Sequence, residues 1–264
     1  SNQTGGEGVR ILMVSWEYPP VIVGGLGRHV HHLATELAAA GHDVTVLTRR
    51  PTGTDPLTHP TTDTRTELGA FRRPQVLLTL LVGMVGFGGM FAVYTYISTT
   101  LTSVSGLSAA SVPAVLAAYG VGMVIGNAVG GRAADSSVTR SIAVALAALA
   151  VLQALFSVFA PQPFAAVTLF FLIGLTASAL VPALQTRLMD VAGEAQTLAA
   201  TLNHSALNIA NALGALLGGA VISAGGGYTA PALAGSGLAL AGLVVFGVGM
   251  LLARRTAEPV GASR

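Results

Sequence analysis

The sequence holds no cysteine and no lysine, and only 9% of its 264 residues are charged. Without cysteine there is no disulfide, no thiolate nucleophile and no Cys-ligated metal. An ordinary globular domain carries about 25% charged residues, so the shortfall argues against a wholly water-soluble protein. The mean hydropathy of +0.71 points the same way. Net charge is +2, and arginine supplies all the basic residues. These arginines stand beside apolar segments and form no run interleaved with aromatics, so nucleic acid is not an expected partner. The expected partner is a lipid bilayer. Charge is also unevenly placed. Residues 1–73 are well charged, whereas 74–253 hold only Arg132, Asp135, Arg140, Arg187, Asp190 and Glu194. Two regions of different solvent class are therefore expected.

What is present first is a short α/β pattern. Residues 1–8 read as a polar tail. Residues 9–15, VRILMVS, form a branched apolar run that suits a parallel strand. A Pro- and Gly-rich loop follows. Then Val30, Leu33, Leu37 and Ala40 recur at helical spacing over 27–40, with Gly41 as the stop. DVTVLT, 43–48, is a second strand. The whole of 9–50 is one βαβ unit. Residues 51–72, rich in Thr, Pro and Asp, read as a linker. His31, His32 and His42 read as helix-surface histidines, and HVHH without supporting carboxylates is not a metal site.

The fold class is nonetheless mainly α and polytopic. Over 73–255 the pattern predicts six transmembrane helices, at 75–98, 109–131, 139–160, 163–186, 196–223 and 230–253, with 256–264 as a tail. A hydrocarbon core of about 30 Å needs about 20 helical residues, and each segment is long enough. Arg72 and Arg73 precede the first segment, Arg132 and Arg140 fall between the second and third, Arg187 between the fourth and fifth, and Arg254 and Arg255 after the sixth. The other breaks carry no charge. By the positive-inside rule this places both termini in the cytoplasm of a multi-pass protein of the cell membrane.

Within the spans, Gly122, Gly126 and Gly130 recur every fourth residue, as do Gly214 and Gly218, which predicts close helix packing. Thr197, Thr201, His204, Asn208 and Asn211 recur at steps of four, three, four and three and share one face of the fifth segment. Polar groups in lipid are costly and tend to face a cavity or another helix. The stripe is either the lining of a substrate or proton path or an interhelical hydrogen-bond seam. Tyr94, Tyr119, Asn127, Gln153 and Gln185 are weaker candidates of the same kind.

Two resemblances follow from these motifs. The loop GNAVGGRAADSSVTRS, the Pro182-containing fourth segment and NHSALNIANALGALLGG in the fifth resemble the second half of a drug- or sugar-efflux member of the major facilitator superfamily, over about 67–255. That resemblance implies small-molecule transport by alternating access between two six-helix halves. It also implies a cytoplasmic latch at Gly131, Arg132, Asp135 and Arg140. Asp135 stands just before the next helix, where a carboxylate interacts well with the positive dipole end, and Arg132 and Arg140 could pair with it. Ser136-Ser137 stands where a basic residue is common in the family. The transport cavity would be lined by Tyr94, Asn127, Thr201, His204, Asn208 and Asn211. No cofactor would be required beyond a coupling proton. The first six spans are absent, so a second six-helix half or a homodimer is expected.

The stretch VRILMVSWEYPPVIVGGLGRHVHHLATELAAAGHDVTVLT resembles the N-terminus of a family 4 glycosyltransferase of the GT-B type, over about 9–50. This implies a sugar-nucleotide site near Gly24, Gly25, Gly27 and Arg28, where glycine backbone N–H groups can approach a phosphate. The second, donor-holding domain is absent, so no transferase activity and no catalytic residue are expected. The leading function is therefore small-molecule efflux. The alternatives are a membrane-tethered glycosyltransferase fragment and a fusion of two genes with no function of its own.

Overall fold

The computed structural model describes residues 9–15, 25–48, 73–192 and 196–257, in two compact units. The expected tail 1–8 and linker 51–72 lie outside the described residues, as do Gly24 and Arg72.

The first unit is the expected βαβ. Strand β1 is Arg10–Ser15, helix α1 is Gly25–Ala39 and strand β2 is Asp43–Thr48. The strands are parallel, in register from Arg10 opposite Asp43 to Ser15 opposite Thr48. Helix α1 starts at Gly25, two residues earlier than its apolar stripe indicates, so Gly25 and Gly27 belong to its first turn and not to a loop before it. Gly41 (φ +92) ends it. Its N–H donates to the Ala38 carbonyl while that of His42 donates to Leu37, at 3.0 and 3.1 Å. That pair of bonds is a Schellman cap, and its left-handed residue favours glycine. Among the described residues the sheet has two strands, and Leu12, Val14 and Leu47 are exposed on it.

The second unit holds five long apolar helices where six segments are predicted: α2 (Pro74–Ser103), α3 (Val112–Phe159), α4 (Pro163–Ala192), α5 (Gln196–Val221) and α6 (Ala230–Ala257). The difference lies in α3, which takes in both the second and third segments. At 48 residues it would be about 72 Å long if straight, more than twice the hydrocarbon core. It is not straight. Ser137 is extended (φ −169, ψ 103) and divides it.

Helix contacts fix the direction of each part. Gly122, Gly126 and Gly130 in the first part of α3 face Phe171, Leu175 and Ala179 of α4, so these two run in the same direction. Gly86 and Gly89 of α2 face Leu146 and Gln153 in the second part of α3, again in the same direction. Helices α2 and α4 run oppositely, since Arg73 bonds Val191, Gln75 bonds Arg187 and Gly83 meets Leu184. The two parts of α3 are therefore antiparallel. Among the described residues the five helices therefore make six passes, with the expected loop at 132–138 reduced to one extended residue.

The local chemistry explains so tight a reversal. Ser136 Oγ donates to the Ala133 carbonyl at 2.7 Å, closing the end of the first part. The Arg140 N–H donates to Ser137 Oγ at 3.4 Å, the bond of an N-cap serine to the third residue of the next helix. The remaining breaks are also short. Pro163 begins α4, where its missing N–H costs nothing. Gly225 (φ +90) and Gly227 (φ +73) take left-handed conformations in the turn before α6.

Glycine faces set the packing distances. A Cβ at Gly126 or Gly130 would strike the backbone of Leu175 or Ala179, and one at Gly214 would strike the Gly88 carbonyl. Close backbone approach of this kind is how helices associate in lipid, where the hydrophobic effect gives no drive. The core is aliphatic and aromatic, with Ile142, Leu146, Leu149, Phe156, Phe170 and Ile173 fully buried.

Candidate functional site

Helix α5 carries two unlike faces. Asn203, Ala206, Ala210 and Gly214 are buried. Ala206, Ala210 and Gly214 meet α2 near Gly83, Gly88 and Ala92. At 100° per residue, the stripe of Thr201, His204, Asn208 and Asn211 lies roughly 120° from that face. All four stripe residues are exposed on the six-pass unit. Packing against α2 thus takes the small residues and leaves the polar ones outward. Among the described residues, none of the passes covers His204, Asn208 or Asn211. The side chain of Thr197 lies outside the described residues. Asn203 was missed by the periodicity, and it is the asparagine of this helix that is buried.

Tyr94 is exposed as well, but it belongs to a different cluster. Its ring lies 5.4 Å from Tyr119 and 6.5 Å from Phe170, and those two stack at 4.3 Å. The Tyr119 hydroxyl donates to Met90 Sδ at 3.0 Å. Three passes contribute to this aromatic stack. It lies further along α2 than the α5 stripe does, because neighbouring Tyr96 donates to the Ala215 carbonyl at 2.9 Å, beyond Asn211. Asn127 is exposed on the first part of α3, beside the glycine face that packs on α4. Gln185 is half-buried, and Gln153 is fully buried between Gly89 and Gly235. Neither amide atom of Gln153 has a hydrogen-bond partner among the described residues. Gln153 is a core residue and not part of an exposed lining.

Asp135 sits in the last turn before the break, two residues ahead of the Ser137 cap of the next helix. It is exposed, and among the described residues it forms no ion pair with Arg132 or Arg140. The helical turn carries the Arg132 guanidinium back to the Ala128 carbonyl at 3.2 Å instead. Gly131 has open space where a Cβ would stand, so no close approach requires it to be glycine.

At the same end of the bundle a tie that the sequence did not signal joins three passes. Arg187 Nη2 donates to Gln75 Oε1 at 3.2 Å, and Gln75 Nε2 donates to the Gly249 carbonyl at 2.9 Å. Arg73 Nη1 donates to the Val191 carbonyl at 3.3 Å. Arginines expected only to flank the membrane thus also clamp α2, α4 and α6.

In the first unit, Gly25, Gly27 and Arg28 lie in the first turn of α1, where backbone N–H groups have no intrahelical partner. The His42 ring accepts the Val9 N–H through Nδ1 at 3.3 Å, which gives that histidine a structural role.

Comparison with known proteins finds two unlike families, whose matches overlap at residues 79–103. Residues 79–264 match the family model of the Major Facilitator Superfamily, and residues 10–103 match that of the starch synthase catalytic domain. The chain is 42% identical over 202 residues to the inner membrane transport protein YdhP of Escherichia coli, covering 75% of this chain and 50% of that protein. It is 31% identical over 200 residues to a chloramphenicol resistance protein of Streptomyces lividans, covering 76% and 51%. It is 76% identical over 59 residues to glycogen synthase of Mycobacterium tuberculosis, covering 22% of this chain and 14% of that enzyme. The chain spans about half the length of the curated transporters it matches. Six passes, a polar stripe on one of them and a family match over most of its length lead to one conclusion: this chain is an integral membrane protein that belongs to the Major Facilitator Superfamily, with an N-terminal stretch similar to a glycogen synthase.

Proposed function

We propose that the six passes form one half of a facilitator-type transporter that exports a small molecule by rocking against a second half. The observation that carries this reading is the exposed polar stripe of His204, Asn208 and Asn211 on α5, which continues the face of Thr201. Polar groups so placed need water or a partner, and a cavity between two halves supplies both. The partner is a separate six-pass half or a second copy of this chain. No cofactor is required. His204 is the titratable group on the stripe and serves as the proton-coupling residue. Tyr94 and Asn127 line the same cavity on its other walls.

The distribution of arginine supports cytoplasmic termini. The latch formed by Gly131, Arg132, Asp135 and Arg140 then faces the cytoplasm. Asp135, exposed on that face, is the latch residue that would meet the second half. The N-terminal unit contributes no sugar transfer, since a two-stranded sheet with exposed leucines is a poor platform for an enzyme.

Chloramphenicol is a suitable first probe, given the name of one relative. Proteoliposomes holding the full chain are expected to move it faster than protein-free vesicles. His204→Ala and Asp135→Asn are each expected to slow that movement at least tenfold. Flux unchanged in both variants contradicts the assigned roles.

A further inference from the structure

A cavity of about 330 Å³ opens between the two parts of α3 and α4, at the end of the bundle that carries Arg73 and Arg187. Its wall is apolar along most of its length, with Val129, Val144, Ala148 and Leu175 among the lining residues. Ser136, Arg140 and Ser141 meet it near the Ser137 break, where its one charge lies, and Thr176 adds a hydroxyl beside Leu175. Arg140 is exposed, and its guanidinium has neither an ion pair nor a hydrogen bond among the described residues. The carboxylate nearest in sequence, Asp135, does not line the cavity.

From this geometry we infer that the cavity is a binding groove for one anionic phospholipid, with the phosphate at Arg140 and an acyl chain along Val129, Val144 and Leu175. Three observations select a lipid over other occupants. The groove combines one cationic end with a long apolar wall, which matches a charged head on a hydrocarbon tail. It lies at the level where the helices leave the hydrocarbon layer, because the tight reversal at Ser137 is the end of two passes. The charge is arginine, whose planar fork binds phosphate oxygens in pairs, and basic pockets between membrane helices suit anionic headgroups. The groove is built by the unusual brevity of the reversal. A longer loop would have carried Arg140 away from the wall of α4. The inference depends on the chain being a membrane protein and not on its transport activity.

Native mass spectrometry of the delipidated full chain in detergent tests the assignment. Dioleoyl phosphatidylglycerol is expected to occupy the wild type at least fivefold more than dioleoyl phosphatidylcholine. Arg140→Gln should bring the two lipids level, whereas Arg140→Lys should keep a preference for phosphatidylglycerol. Val144→Trp, at an exposed wall position, should lower occupancy by both. Equal occupancy of the two lipids in wild type overturns the inference, as does an Arg140→Gln variant that behaves like wild type. Inorganic phosphate that displaces phosphatidylglycerol would assign the site to a free anion and overturn the inference too. If Val144→Trp does not fold, the contrast between Gln and Lys at position 140 decides alone.

Discussion

At the residue scale, individual atoms fix the reversal in α3 and the close packing beside it. Ser137 is extended and caps the helix that follows, so Ser137→Ala should cost about 1 kcal/mol of stability and Ser137→Gly only a few tenths. Denaturant titration in mixed micelles measures the difference. No loss in Ser137→Ala would show that the cap bond contributes little. Gly126 and Gly131 make a second contrast within the same pass. A methyl group at Gly126 meets the Leu175 backbone, whereas one at Gly131 meets nothing within 4 Å. Gly126→Ala should therefore lower stability by about 1–3 kcal/mol through overpacking, and Gly131→Ala should be neutral or slightly stabilising. Gln153 gives the opposite sign. Its amide is buried and unpaired, so Gln153→Met, which keeps the shape and removes the polar atoms, should leave stability unchanged or raise it by about 1–3 kcal/mol. A large loss in that variant would mean that the amide has a partner essential to the packing.

At the element scale, hydropathy made the six apolar segments legible, because length and charge exclusion depend on the sequence alone. The boundaries at the Pro161-Gln162-Pro163 and Gly225-Gly226-Gly227 turns were equally plain, since proline and glycine act through the backbone. The second break was less legible. Gly130, Gly131 and Asp135 suggested a loop, yet helix continues through all three, and Ser137 does the work of reversal. The spacing of Thr201, His204, Asn208 and Asn211 showed that they share a face. It could not show which way that face points, because the phase of a helix is set by its partner. That partner is α2, and its glycines were too many to indicate which face they would present. The Arg187–Gln75–Gly249 tie was hidden for a similar reason, since it joins residues far apart in the chain. The absence of native cysteine makes the topology directly measurable. Single cysteines at Ser136, Gln162 and Gly226 should react with an impermeant thiol reagent from opposite sides: Ser136 from one, Gln162 and Gly226 from the other. Labelling of Ser136 and Gln162 from the same side would remove the reversal and leave five passes.

At the scale of the whole molecule, two unlike similarities are joined in one chain. The N-terminal stretch is 76% identical to a glycogen synthase yet corresponds to 14% of that enzyme. The membrane part corresponds to about half of its transporter relatives. Physical function follows whichever part can complete a site. The βαβ unit leaves its sheet exposed, whereas the six-pass unit has a packed core and one polar face that a second half would enclose. The most direct test uses Asn208→Cys, the sole thiol in the chain, in proteoliposomes moving chloramphenicol. An impermeant thiol reagent should abolish flux once it has reacted with that residue, and chloramphenicol should slow the reaction. Undiminished flux after complete modification would contradict the claim that the α5 stripe lines the path of transport.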